Sequence, residues 1–184
     1  MINKEIERKF VVCAKDLPEL SHMTFFDINQ GYICDINEEY VFRLRQAIMM
    51  TSKKQMLGKF YYQTIKGAGT REREEYEHQI PSEIFHTFWP ACNNISLHKW
   101  RYELPIPEGR KDIQNIHLDI YKNGLEGNFS VEVEFFNRKD CDKFKPFEWF
   151  GKEVTEDDNY KNVNVAIFGW PDCCDKTCDC HTTK

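Results

Sequence analysis

Seven segments of this chain alternate between two kinds of side chain, and in each of them charged residues gather on one side. Successive side chains of a β-strand point to opposite faces, so this alternation predicts strands with a charged face and, in most, an apolar one. In the first segment, Met1 to Val12, Glu5, Glu7 and Lys9 share a face and Ile6, Phe10 and Val12 take the other. Arg43 and Arg45 oppose Phe42 and Leu44 in the segment from Tyr40 to Gln46, and Tyr62, Thr64 and Lys66 fall together between Phe60 and Lys66. Arg73, Glu75 and Glu77 share a face of the stretch from Arg71 to Ile80, which is polar on both sides. Lys99 and Arg101 oppose Trp100 and Tyr102 between Leu97 and Glu103, and Asp119 opposes Leu118 and Ile120 between His117 and Tyr121. In the last, Ser130 to Phe135, Glu132 and Glu134 oppose Val131, Val133 and Phe135.

Apolar faces must be covered, and the sequence offers short amphipathic helices to cover them. The candidates are Asp16 to Ser21, Ser82 to Phe88 with Ser82 as N-cap, Lys139 to Phe144, and Asn162 to Phe168. If helices take the apolar face, the charged face lies inside a sheet closed on itself, which inverts the usual apolar-filled barrel. Turn signals suit an antiparallel meander: Gly67-Ala68-Gly69, Pro105 to Arg110, and Asn123 to Gly127. Ala47 to Lys59 reads as a long loop carrying Lys53, Lys54 and Lys59, either a solvated tip or a basic lip. The fold class expected is α+β, mainly β, with one domain over residues 1–170 of the 184.

A net charge of -5 argues against general nucleic-acid binding, so any polyanion must meet a local concentration of bases. No apolar run is long enough to span a membrane and no apolar leader precedes the first strand, so a cytoplasmic location is expected. In such a compartment Cys13, Cys34, Cys92 and Cys141 read as reduced apolar fillers. Cys173, Cys174, Cys178, Cys180 and His181 crowd the last residues, and read as an acidic tail with a soft-metal or redox role as the alternative.

The proposed inner face carries the acids Glu5, Glu7, Glu75, Glu77, Asp119, Glu132 and Glu134, and the bases Lys9, Arg43, Arg45, Lys66, Arg73, Lys99 and Arg101. Two same-face carboxylates such as Glu5 and Glu7 repel unless a cation sits between them, and Lys9 would hold an anion that follows the cation. A network of internal ion pairs is the structural alternative, but buried pairs cost about as much in desolvation as they recover in attraction. A wet tunnel that takes a polyanion on the bases and divalent cations on the acids accounts for both sets, and a linear triphosphate with Mg2+ or Mn2+ fits best.

Glu5-x-Glu7-x-Lys9, Arg43-x-Arg45, Lys66, Arg73-x-Glu75-x-Glu77, Lys99-x-Arg101, Asp119, Glu132-x-Glu134 and Gly151-Lys-Glu-Val-Thr155, in that order, resemble the CYTH domain, or triphosphate tunnel metalloenzyme superfamily. The resemblance runs from about residue 3 to residue 168 and includes Tyr160 and Asn162 before a helix. It implies an eight-stranded antiparallel closed barrel, with Phe25 to Tyr32 as the missing strand. It also implies a metal-dependent triphosphatase with Mg2+ or Mn2+ as cofactor and a triphosphate-containing small molecule as partner. Carried over by position, Glu5, Glu7, Glu132 and Glu134 are metal ligands. Lys9, Arg43, Arg45, Lys66, Arg73, Lys99 and Arg101 clamp phosphate. Glu75, Glu77 and Asp119 hold a second metal or orient water. Lys66, Glu75 and Asp119 are the catalytic candidates.

The resemblance favours inorganic triphosphate as substrate and leaves open a nucleoside, thiamine or RNA 5'-triphosphatase, a class IV adenylyl cyclase, or a non-catalytic binding module. The RNA 5'-end is the one nucleic-acid partner kept in view. The Cys-rich end inherits nothing from the family.

Overall fold

The computed structural model describes residues 3–33 and 40–171. Eight strands, β1 (Asn3–Val11), β2 (Phe25–Ile33), β3 (Val41–Met50), β4 (Met56–Lys66), β5 (Glu72–Gln79), β6 (Ser96–Glu103), β7 (Ile113–Lys122) and β8 (Phe129–Phe135), close into a barrel. Their order around it is β1-β5-β4-β3-β2-β6-β7-β8, and all neighbours are antiparallel. Closure removes the sheet edges that an open meander would expose. The strand that the resemblance implied is β2, and it lies between β3 and β6.

Registers place the charged residues opposite one another on one face: Glu5 faces Arg73, Lys66 faces Glu75, Arg101 faces Asp119, and Lys9 faces Glu132. The apolar residues point outward and are covered. Ile6, Phe10, Val12, Leu118, Val131, Val133 and Phe135 form one buried cluster beneath α2 (Arg138–Lys143) and Phe144 and Phe150. Each such large side chain contributes roughly 1.5–3 kcal/mol by leaving water. A second cluster, Leu44, Tyr61, Ile80, Phe85 and Cys92, lies beneath α1 (Ser82–Phe88) and the 3-10 turn Trp89–Cys92. Gly31 makes that approach possible, since a Cβ there would stand 2.7 Å from the Cys92 sulfur.

A third cluster differs, because it draws on the inner face. Tyr32, Leu97 and Tyr121 meet Val165 of α3 (Asn162–Phe168), which stops one end of the barrel. A strap leads to that helix. Pairing of β1 with β5 ends at Ile6 and Glu72, which leaves the last residues of β1 with an open side. The strap fills it: Val11 N–H donates to the Lys152 carbonyl (2.9 Å) and Val154 N–H to the Lys9 carbonyl (2.8 Å). The buried Arg8 guanidinium anchors the strap by pairing with Glu153 and donating to the carbonyls of Cys141 and Phe144.

The chain departs from four local expectations. Asp16 to Ser21 is not a helix: a 3-10 turn covers Ala14–Asp16, and Leu17 is extended because Pro18 follows it. The long loop expected over 47–59 is mostly strand, with β3 reaching Met50 and β4 beginning at Met56. The outer ends of this hairpin are exposed on both sides at Met56 and Leu57, so no alternation marks them. Lys54 and Lys59 lie over the rings of Trp100 and Tyr61, and with Lys53 they stay out of the cavity described below. Ser82 is the first residue of α1, whose N-cap is Pro81, and α2 starts one residue early because Asn137 caps it through Asp140 N–H. Cys34 and the cysteines and histidine of 173–181 lie outside the described residues.

Candidate active site

A cavity of about 450 Å³ opens from the barrel interior between the β4–β5 turn and the strap. Lys9, Arg43, Lys66 and Arg73 stand on its inner wall with Glu7 and Glu132. Residues 67–70 form one lip, and residues from 154 to 163 form the other. Gly69 sits at φ +129, a conformation that side chains disfavour, and so lets the first lip turn tightly back into β5. Thr70 and Arg71 reach Glu156 across the gap and tie the two lips together.

The carboxylates fall into two kinds. Glu5, Glu7 and Glu134 each bring an oxygen within 4.8 Å of the others, the one such acidic group among the described residues. Lys66 donates to Glu5 at 2.6 and 2.8 Å, and Arg73 donates to Glu5 (2.6 Å) and Glu7 (2.7 Å). Asn115 and His117 hold Glu134, at 2.7 and 3.4 Å. Burial would raise the Glu5 carboxyl, but Lys66 and Arg73 outweigh it and hold it at about 2. Glu7 goes the other way: burial and then the neighbouring Glu5 charge push it up to about 7, although Arg73 opposes. A buried carboxylate forced toward neutrality beside two others describes a corner short of positive charge. Three hard oxygen donors there suit a Mg2+ or Mn2+ ion, which usually takes carboxylates together with phosphate oxygens.

The other acids already have cations. Asp119 is fully buried between Lys99 (2.5 Å) and Arg101 (2.7 Å on both oxygens). Burial opposes its ionisation, yet Arg101 and Lys99 keep the carboxyl below its ordinary range. Glu132 meets Lys9 at 3.1 Å and also pairs with Arg101. Arg101 and Lys9 outweigh its burial and hold it well below the usual range. Glu77 accepts from Arg43 and Arg45 at 2.8 Å and from Thr64 at 2.6 Å, and despite burial these partners hold it at about 2. Glu75 lies 3.0 Å from Lys66 and 3.9 Å from Arg43. Lys99 pays for its depth, since burial and Arg101 bring its ammonium down to about 7 against the pull of Asp119.

Every charged candidate named from the sequence thus points into the barrel, but only some reach the cavity. Glu5, Glu75, Glu134, Arg45, Lys99, Arg101, Glu77 and Asp119 lie off its lining, and Arg45 Nε and Gln30 Oε1, on directly paired residues, are buried with no partner. Sequence reasoning gave no site role to the neutral residues His117, Tyr121 and Asn162. His117 and Tyr121 share Asp119's parity and that signal would have found them, whereas nothing in the spacing of Asn162 tells that it reaches Lys9.

A closed antiparallel barrel with acids and bases facing inward, a cavity lined by four of the bases and a helix stopping one end agrees with a tunnel fold of the CYTH type, which the relatives of this chain imply. No family model matches the chain. The inorganic triphosphatase of Nitrosomonas europaea is 36% identical over 163 residues, covering 89% of this chain and 97% of that protein. The inorganic triphosphatase of Acetivibrio thermocellus is 30% identical over 167 residues, covering 90% and 94%. A crystal structure of an inorganic triphosphatase, 34% identical, superposes with a TM-score of 0.59 over 91% of this chain and 96% of its own. The chain belongs to the family of these inorganic triphosphatases.

Proposed function

We propose that this chain hydrolyses inorganic triphosphate to diphosphate and phosphate, with Mg2+ or Mn2+ as cofactor. The observation that carries the reading is the cavity, whose lining brings Lys9, Arg43, Lys66 and Arg73 together with Glu7, the carboxylate through which the acidic group of Glu5, Glu7 and Glu134 reaches it. In this reading Glu5, Glu7 and Glu134 hold the divalent cation, which supplies neutralisation of phosphate charge. Lys66 pairs with Glu5, and Arg73 with Glu5 and Glu7. A triphosphate held on these bases would leave the Glu5 and Glu7 carboxylates, with Glu134, to hold a divalent cation, so that neither set would be left buried and unpaired.

Lys9, Arg43, Lys66 and Arg73 then face the phosphate oxygens and stabilise the charge that builds on them in the transition state. Glu75, beside Lys66, orients the attacking water. Its oxygen forms the new bond to the terminal phosphorus, the bridging P–O bond breaks, and diphosphate departs while the water's proton passes to Glu75 or solvent. Asp119, Glu77 and Glu132 act as struts that fix Lys99, Arg101, Arg43, Arg45 and Lys9.

Phosphate release is measured from inorganic triphosphate, ATP, thiamine triphosphate and 5'-triphosphorylated RNA, with Mg2+, Mn2+ or EDTA, and cyclic AMP is followed separately. Inorganic triphosphate is expected to be the fastest substrate, EDTA to stop the reaction, and Lys66→Ala to slow it by roughly two or more orders of magnitude. Tight triphosphate binding without turnover in Mn2+ would make the chain a binding module, and a faster organic triphosphate or cyclic AMP would overturn the substrate assignment.

A further inference from the structure

Lys9 is the cavity cation whose surroundings are least explained by charge pairing. Its ammonium has three N–H donors and meets three oxygens: Glu132 Oε1 at 3.1 Å, Tyr121 Oη at 3.4 Å and Asn162 Oδ1 at 3.4 Å. The two neutral oxygens are themselves joined, since the Tyr121 hydroxyl donates to Asn162 Oδ1 at 2.7 Å. That donation commits the phenol's proton and turns its lone pairs toward Lys9 and toward Ser130 Oγ, 3.2 Å away. Burial pushes the phenol up to about 12 despite the Lys9 charge, so the proton stays. Tyr121, Ser130 and Lys9 are all buried. Asn162 is the first residue of α3, and it lines the cavity beside Lys9.

We infer that Tyr121 and Asn162 are positioning residues that hold the Lys9 ammonium toward the cavity, and that α3 contributes to the anion site through them. The inference rests on the triphosphate reading above and adds residues to it. The geometry explains why neutral oxygens serve here. A second carboxylate at this place would saturate Lys9, and a phosphate would then have to displace an ion pair. Two long contacts to neutral oxygens steady the ammonium and yield to a phosphate oxygen at small cost. Without them the flexible lysine is free to fold back onto Glu132 and Asp119, whose charges both act on it. A structural role alone, as a polar link fastening α3 to the barrel, would affect stability and would not depend on Lys9.

The test is the affinity of the full chain for inorganic triphosphate, measured by calorimetry in EDTA so that no turnover intrudes. It is run for the parent, Tyr121→Phe, Asn162→Leu, Lys9→Ala and both doubles with Lys9→Ala. Arg43, Lys66 and Arg73 remain in the cavity to keep binding measurable without Lys9. Each of Tyr121→Phe and Asn162→Leu is expected to weaken binding by about tenfold in the parent and to have no further effect once Lys9 is gone. Equal losses in both backgrounds, or no loss in either single variant, would overturn the inference while leaving the triphosphate reading intact. If one of the two variants does not fold, the other completes the cycle. Absence of binding to the parent chain in EDTA would overturn the inference that these neutral residues set the metal-free affinity through Lys9, while the triphosphate reading stands or falls separately on the hydrolysis assay above.

Discussion

Two corners of one barrel interior treat buried carboxylates in opposite ways. At Asp119 two cations close on a single acid with hydrogen bonds to both oxygens, and the acid stays ionised. At Glu5, Glu7 and Glu134 three acids gather within ligand distance of one another, and Glu7 is pushed toward protonation. Both corners are strongly charged and largely withdrawn from solvent, so burial alone does not distinguish a strut from a ligand. The balance of partners does: the first corner is complete, and the second is short of positive charge, which is why the proposed function puts a cation there.

Exchanging the acids for neutral isosteres should separate the corners most sharply. Glu7→Gln is expected to reduce triphosphate hydrolysis by roughly a hundredfold or more while leaving the unfolding midpoint of the metal-free protein equal or higher, because a like-charge contact is removed. A full-rate Glu7→Gln enzyme would break the comparison. Asp119→Ala should do the reverse to stability, costing about 3–5 kcal/mol in urea unfolding, since it leaves Lys99 and Arg101 buried without their acid. An unchanged midpoint would mean that the complete corner is no strut.

The same contrast has a pH signature, read from unfolding of the metal-free chain. Glu7 is raised from 4.5 to about 7, so the folded state holds its proton more tightly than the unfolded chain does. Its contribution is full below about pH 4.5 and is lost as pH rises through 7, and Glu7→Gln should flatten that limb. Glu77 is lowered from 4.5 to about 2, so its contribution is full above about pH 4.5 and disappears as pH falls toward 2. Glu77→Gln should remove part of that acid limb and leave the upper one alone. The smallest effect belongs outside the barrel, where the exposed Lys4 pairs with the partly exposed Glu72. Lys4→Ala is expected to leave the midpoint within error, and a clear loss would show that exposed pairs matter here as buried ones do.

Much of this fold was readable as alternation. The parity of Glu5, Glu7 and Lys9, or of Lys99 and Arg101, is a local property of a strand and survives any tertiary arrangement. The hairpin between β3 and β4 escaped because Met56 and Leu57 are exposed at its outer end and break the pattern. The helix expected at Asp16 failed because Pro18 forces Leu17 into an extended conformation. Asn162 was marked only as part of the family pattern before a helix, and His117 and Tyr121 were given no place on the inner face, because none of the three carries a fixed charge.

Which side of each strand a residue occupies follows from the chain alone, since backbone geometry sets the period of two. Which acid meets which base does not, because Glu5 meets Arg73 and Lys66 only after strands far apart in sequence pair in a definite register and the sheet closes. Closure turned a row of like candidates into one saturated corner, one corner short of charge, and a lysine held by a helix that begins 153 residues later.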